Sequence, residues 1–83
     1  MRKKVYDFYS DAGHGWLKVR RSEIDELGLT NKITSYSYQN KEYVYLEEDY
    51  DMNLFFEAKN FEVEARIHNS VRSRIRNYER YHA

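Results

Sequence analysis

Apolar residues recur along this chain at the spacing of two that β-strands impose, interrupted by two stretches with helical spacing. Val5 to Ser10 and Trp16 to Arg20 are rich in β formers and flank Asp-Ala-Gly-His-Gly, the layout of a hairpin with a slightly long loop. On the second strand Leu17 and Val19 share one face while Trp16, Lys18 and Arg20 share the other, so one side faces a core. Ser22 then opens a short helix. It is a good N-cap residue, Glu23, Asp25 and Glu26 place negative charge in the first turn, and Gly28 supplies the stop. Ile24 and Leu27 face the sheet, and Leu29 makes the apolar contact common beside such helix ends.

Ile33 to Gln39 and Tyr43 to Glu48 form the next hairpin, joined through Asn40-Lys41. Register decides whether Tyr36, Tyr38, Tyr43 and Tyr45 make one cross-strand cluster or split between two faces. Asp49 or Asp51 caps a second helix whose core stripe is Leu54, Phe55 and Ala58, widened by Met52 and Phe56. Phe61, Val63, Ala65 and Ile67 then alternate with Glu62, Glu64, Arg66 and His68, the pattern of a half-buried strand. The tail from Ser70 supports two patterns: Val71, Ile75 and Tyr78 at helical spacing, or Val71, Ser73 and Ile75 alternating with arginines as an edge strand. An ordered irregular or helical tail is favoured. The order ββαββαβ predicts one α+β domain over residues 1–83: a small antiparallel sheet of about five strands, covered on one face by one or two helices. Residues 70–83 form a basic C-terminal segment.

Composition narrows this picture. A chain of 83 residues buries only about 60% of its unfolded surface, so the core is small, and nine Tyr, four Phe and one Trp make it aromatic. With no Cys, neither disulfides nor a thiolate zinc site holds the fold. Formal net charge is zero but the charges are grouped: residues 1–21 sum to +4, 22–40 to −2, 41–64 to −6 and 65–83 to +4. The basic start, Met1 to Lys4, runs straight into Val5-Tyr6-Asp7, which suits neither a signal peptide nor a membrane anchor. A cytoplasmic protein without membrane contact is the expectation.

Ser10, Asp11 and His14 are the residue types of a catalytic triad, but triads draw base and orienting group from separate elements. On one tight loop, Asp11 or Ser10 serves nearby amides while Gly13 and Gly15 supply positive φ angles. Gly-His-Gly leads into a strand, unlike a phosphate-cradling glycine loop. Asp49-x-Asp51-x-Asn53 opens like a calcium loop, yet Leu54 stands where the turn glycine belongs and Asn60 where the bidentate glutamate belongs. His14, His68 and His82 share no ligand spacing, so no metal or cofactor is expected. Arg66, Arg72, Arg74, Arg76 and Arg80 interleave with Tyr78 and Tyr81, a composition able to pair phosphates and stack on bases, although the strongly basic balance typical of nucleic-acid binders is absent.

The strings Tyr6-Asp-Phe-Tyr-Ser-Asp-Ala-Gly-His-Gly-Trp-Leu, Ser35-Tyr-Ser-Tyr38, Tyr45-Leu-Glu-Glu-Asp49 and Ser73-Arg-Ile-Arg-Asn-Tyr-Glu79 resemble a group of short bacteriophage and plasmid proteins without an assigned activity. The resemblance implies a mobile-element setting, where small accessory proteins act by binding a host protein or nucleic acid; for a phage protein the compartment is the host cytoplasm. The expected function is a non-enzymatic, protein-binding accessory or anti-defence factor. Its contact residues are His14, Trp16, Tyr36, Tyr38, Tyr43 and Tyr45, with Glu47 and Glu48 from the acidic cluster. The alternative is single-stranded DNA or RNA binding through Arg72, Arg74, Arg76, Tyr78, Arg80 and Tyr81.

Overall fold

The alternation of Leu17 and Val19 with Trp16 and Lys18 becomes the centre of a six-stranded sheet in a computed structural model, which describes residues 4–83. Of the basic start only Lys4 falls within them; Met1 to Lys3 lie outside the described residues. The elements are β1 (Lys4–Ser10), β2 (Gly15–Arg20), α1 (Arg21–Glu26), β3 (Tyr38–Asn40), β4 (Tyr43–Glu47), α2 (Asp51–Ala58), β5 (Val63–Asn69), a 3-10 turn (Arg74–Asn77) and β6 (Glu79–Arg80). The fold is α+β, with the strands ordered β5-β1-β2-β4-β3-β6. The expected antiparallel sheet is mixed, because β5 runs parallel to β1 while the other neighbours are antiparallel. Its cause is α2. The helix carries the chain from β4 across the sheet to the far edge, and such a crossover returns the next strand in the same direction.

One face of the sheet holds the main core. Tyr6, Leu17, Val19, Val44 and Leu46 meet Ile24 of α1 and Phe55 of α2 there. Glu23 of α1 binds these layers at their rim, accepting from the Tyr6 hydroxyl at 2.7 Å and from Lys59 Nζ at 2.9 Å. Gly15 is required by this packing, since a Cβ on it would stand 2.2 Å from Cζ of Phe8. Neither Gly13 nor Gly15 has a positive φ, contrary to expectation; among the glycines only Gly28 does, at 73°.

Both helices begin without a side-chain cap. α1 starts at Arg21 rather than behind a Ser22 cap, because the chain passes directly from β2 and the Arg21 N–H is taken by the Glu42 carbonyl at 2.8 Å. Neither Asp49 nor Asp51 caps α2. The two C-termini share one motif. Leu29 N–H reaches the Ile24 carbonyl and Gly28 N–H that of Asp25, and Phe61 N–H reaches Phe56 while Asn60 N–H reaches Glu57. Gly28 and Asn60 hold the left-handed position that this Schellman closure needs, and Asn is the non-glycine residue that tolerates it best. Phe61 is thereby placed in the turn at φ 60° and not in β5. On α2 the buried positions are Asp51 and Phe55, flanked by Met52 and Phe56, whereas Ala58 is exposed. The predicted stripe holds at Phe55, Met52 and Phe56, is half-buried at Leu54 and fails at Ala58.

Two further expectations are corrected. Of the predicted strand Ile33 to Gln39 only Tyr38 and Gln39 are in a strand, which runs Tyr38–Asn40. The preceding segment turns around the buried Asp51 carboxylate, which accepts from Thr34 N at 3.1 Å, Thr34 Oγ1 at 2.8 Å and Ser37 Oγ at 2.6 Å. Side chain to backbone bonds of this kind displace ladder pairing. Second, β5 is largely exposed on both faces, Ile67 included, because it is an edge strand that reaches beyond the helices. The tail is ordered and irregular, as the favoured expectation had it, with one helical turn and one short strand. It crosses the sheet face opposite the helices, makes the 3-10 turn at Arg74–Asn77, and pairs β6 with β3. The sheet is therefore covered on both sides. Beneath the tail lies a second cluster of Trp16, Tyr38, Tyr45 and Ile75, edged by Tyr9, Tyr43 and Tyr78. Tyr38 opposes Tyr45, so Tyr38, Tyr43 and Tyr45 share this face, while Tyr36 lies off the sheet. Among the described residues no helix is long and apolar enough to cross a membrane.

Candidate functional site

Asp11 organises the first hairpin loop and the tail together. Its Oδ1 accepts from the Gly13 and His14 amides, each at 3.1 Å, which closes the turn. Its carboxylate also takes Arg76 through Nε at 2.6 Å and Nη2 at 2.7 Å, and the Ser73 amide at 3.0 Å. The Arg76 guanidinium above all, helped by the backbone amides, holds the Asp11 carboxyl far below the usual carboxylate range. Ser10 Oγ turns instead to Asn69 Oδ1 at 2.5 Å, and the His14 ring lies 6.0 Å from the Trp16 ring. The three triad-type residues thus have three separate partners. What Asp11 does is clamp the tail: Arg76 rests 5.4 Å above the Trp16 ring, and Trp16 meets Tyr38 edge-on at 6.0 Å.

Two depressions flank this clamp. The first is a groove of about 630 Å³, floored by Trp16 and Tyr38 and walled by His14, Tyr36 and Tyr50. Arg76, Arg80, Glu47 and Asp49 also line it, so it carries both signs of charge. Trp16 is 2% exposed, and its buried indole Nε1 has no hydrogen-bond partner among the described residues. Burial pushes the Glu47 carboxyl upward, and neighbouring carboxylates add to the effect against the Asp49 amide that bonds it. The second depression, about 660 Å³, lies between the sheet and the Ser70–Tyr78 strap. Tyr9, Lys18 and Tyr45 form its floor, His68 one wall, and Arg72, Arg74 and Tyr78 the strap side.

The structure divides the sequence-derived sets. Of the protein-contact residues, His14, Trp16, Tyr36, Tyr38 and Glu47 converge on the groove, but Trp16 and Tyr38 are its buried floor and not free contacts. Tyr45 lies in the other cleft, Tyr43 beneath Lys18 with its ring 4.1 Å from Nζ, and Glu48 beside Gly15. Of the nucleic-acid set, Tyr81 is in the main core with its hydroxyl on the Thr30 carbonyl, Arg76 is held by Asp11, and Arg80 lies 4.6 Å over Tyr38. Only Arg72, Arg74 and Tyr78 face the basic cleft. Sequence reasoning missed Tyr50, Tyr9, Lys18 and His68. The signal for Tyr9 and Lys18 was present, as each shares the alternation phase of Trp16; Tyr50 and His68 are brought in by tertiary contact alone. Among the described residues no group of three His, Cys, Asp or Glu side chains gathers to hold a metal. Neither a family model nor a curated protein nor a solved structure matches this chain.

Proposed function

We propose that this domain is a non-enzymatic binding module that docks a protein partner in the groove between Trp16, Tyr36 and Tyr50. The observation that carries the reading is a groove floored by the buried Trp16 and Tyr38 rings and walled by exposed tyrosines. Tyr36 and Tyr50 stand 68% and 56% exposed around it, and Tyr is a residue type that anchors interfaces. Arginines and carboxylates in the same lining suit a segment that carries both donors and acceptors. The resemblance to bacteriophage and plasmid proteins supports a role as an accessory or anti-defence factor.

The test is capture from a bacterial lysate by the wild type and by a Tyr36→Ala/Tyr50→Ala variant, followed by titration of each captured protein against Trp16 emission. Tyr38 and Tyr45 are left intact because their loss would disturb folding. A partner of this groove shifts the emission of the only tryptophan and binds the variant about tenfold or more weakly, the equivalent of about 1.4 kcal/mol. Equal capture by both proteins with unshifted emission removes the groove as the docking site.

A further inference from the structure

The described arginines fall into two kinds. Arg20, Arg66 and Arg76 are held by carboxylates, and Arg21 and Arg80 by side-chain or backbone oxygens. Arg72 and Arg74 have neither an ion pair nor a side-chain hydrogen bond among the described residues, and both line the cleft beneath the strap. Lys18 enters the same cleft from the sheet; it makes no ion pair among the described residues, its ammonium lies over the Tyr43 ring, and its charge acts on Asp7 beside the cleft. No Asp or Glu lines it, in a protein whose 14 acidic residues equal its 14 Lys and Arg. Arg72 and Arg74 therefore add like charge to a lining that holds no carboxylate of its own, an arrangement that an anion in the cleft would relieve.

The strap is prepared for that task. Ser73 and Ile75 are buried, Ser73 accepts from the Ile75 amide, and Asp11 grips the Ser73 amide, so Arg72 and Arg74 are both turned outward. Planar surfaces stand beside the cations. Tyr9 stacks on His68 with ring centres 4.8 Å apart and planes 19° from parallel, and Asp7 Oδ1 fixes His68 Nε2 at 2.9 Å. Tyr45 meets Tyr78 edge-on at 5.1 Å, and burial pushes the Tyr45 hydroxyl up to about 12, which keeps it a donor at neutral pH.

We propose that this cleft binds a nucleotide, with Lys18, Arg72 and Arg74 on its phosphate and the Tyr9–His68 stack against its base. Guanidinium forks bond two phosphate oxygens at once, and aromatic faces take bases irrespective of sequence. The ligand is either a free nucleotide or one unit of a single strand; a cleft of about 660 Å³ accepts one such unit and is open enough for a strand to pass. This site is separate from the Trp16 groove and does not rest on protein docking there.

Three probes test it by calorimetry across a salt series: inorganic phosphate, AMP and an oligothymidylate. The proteins are the wild type, an Arg72→Glu/Arg74→Glu variant whose changes fall on exposed side chains, and the Tyr36→Ala/Tyr50→Ala groove variant. AMP or the oligonucleotide should bind more tightly than phosphate, lose about tenfold or more in the charge-reversed protein, and bind the groove variant unchanged. Tighter binding of the strand than of AMP, with a salt slope that drops by about 0.7 for each phosphate contact removed, identifies the strand as the source; equal binding identifies the free nucleotide. Phosphate binding as well as AMP would overturn the role of the aromatic stack. No binding at low salt, or affinity undiminished by the reversal, would overturn the site.

Discussion

Two carboxylates on the tail side of the sheet respond to pH with opposite sign. Asp11 has its folded pKa depressed by Arg76 and backbone amides, so the stability it contributes is present above the ordinary carboxylate pKa and lost as pH falls toward the folded value. Asp11→Asn is therefore less stable than the wild type at pH 7, and the difference in melting temperature narrows as pH drops below about 4. A difference that stays constant down to acid pH would show that the carboxylate charge is not what clamps the tail. Glu47 has its pKa raised by burial, so its contribution is lost as pH rises through the carboxylate range. Glu47→Gln keeps an oxygen for the Asp49 amide and should match or exceed wild-type stability at neutral pH, with the two proteins converging below about pH 4. A variant that melts well below the wild type at pH 7 would refute this. At this scale the sequence was readable for Asp11, whose place before Gly-His-Gly marked it as a turn residue. Its bond to Arg76, 65 positions away, was not.

At the scale of elements, periodicity located strands and helices well and their boundaries less well. The hairpin of β1 and β2 and the two-sided alternation of Trp16 and Leu17 follow directly from the local pattern. Failures came where a side chain competed with the backbone or where a helical pattern ran on past the buried face. Asp51 illustrates the first, having turned from a helix cap into a buried acceptor for Thr34 and Ser37. The α2 stripe illustrates the second at Ala58, and its extent can be checked by mutation. Phe55→Ala, at a fully buried ring, should cost about 3–5 kcal/mol in urea unfolding, whereas the exposed Ala58→Glu should remain within about 0.5 kcal/mol of the wild type. Comparable losses at both positions would mean that the stripe includes Ala58, as the sequence suggested.

For the whole molecule the decisive feature is the tail, which roofs the second aromatic cluster and closes the sheet with β6. Deleting residues 70–83 removes Ile75, Arg76 and Tyr78 from above Trp16 and Tyr81 from the main core. Tryptophan emission should shift to the red and unfolding lose cooperativity; native emission with an unchanged transition would show that the tail is dispensable. Both candidate sites depend on the same feature, since the strap is the shared wall between groove and cleft. Sequence alone determined the α+β class, the aromatic core and the positions of the hairpins, because these rest on interactions between residues near in the chain and on total composition. Tertiary structure alone decided that β5 pairs parallel to β1, that Trp16 is buried, and which arginines are left without partners. These depend on contacts between residues some 60 positions apart, and local periodicity carries no record of the partner across that distance.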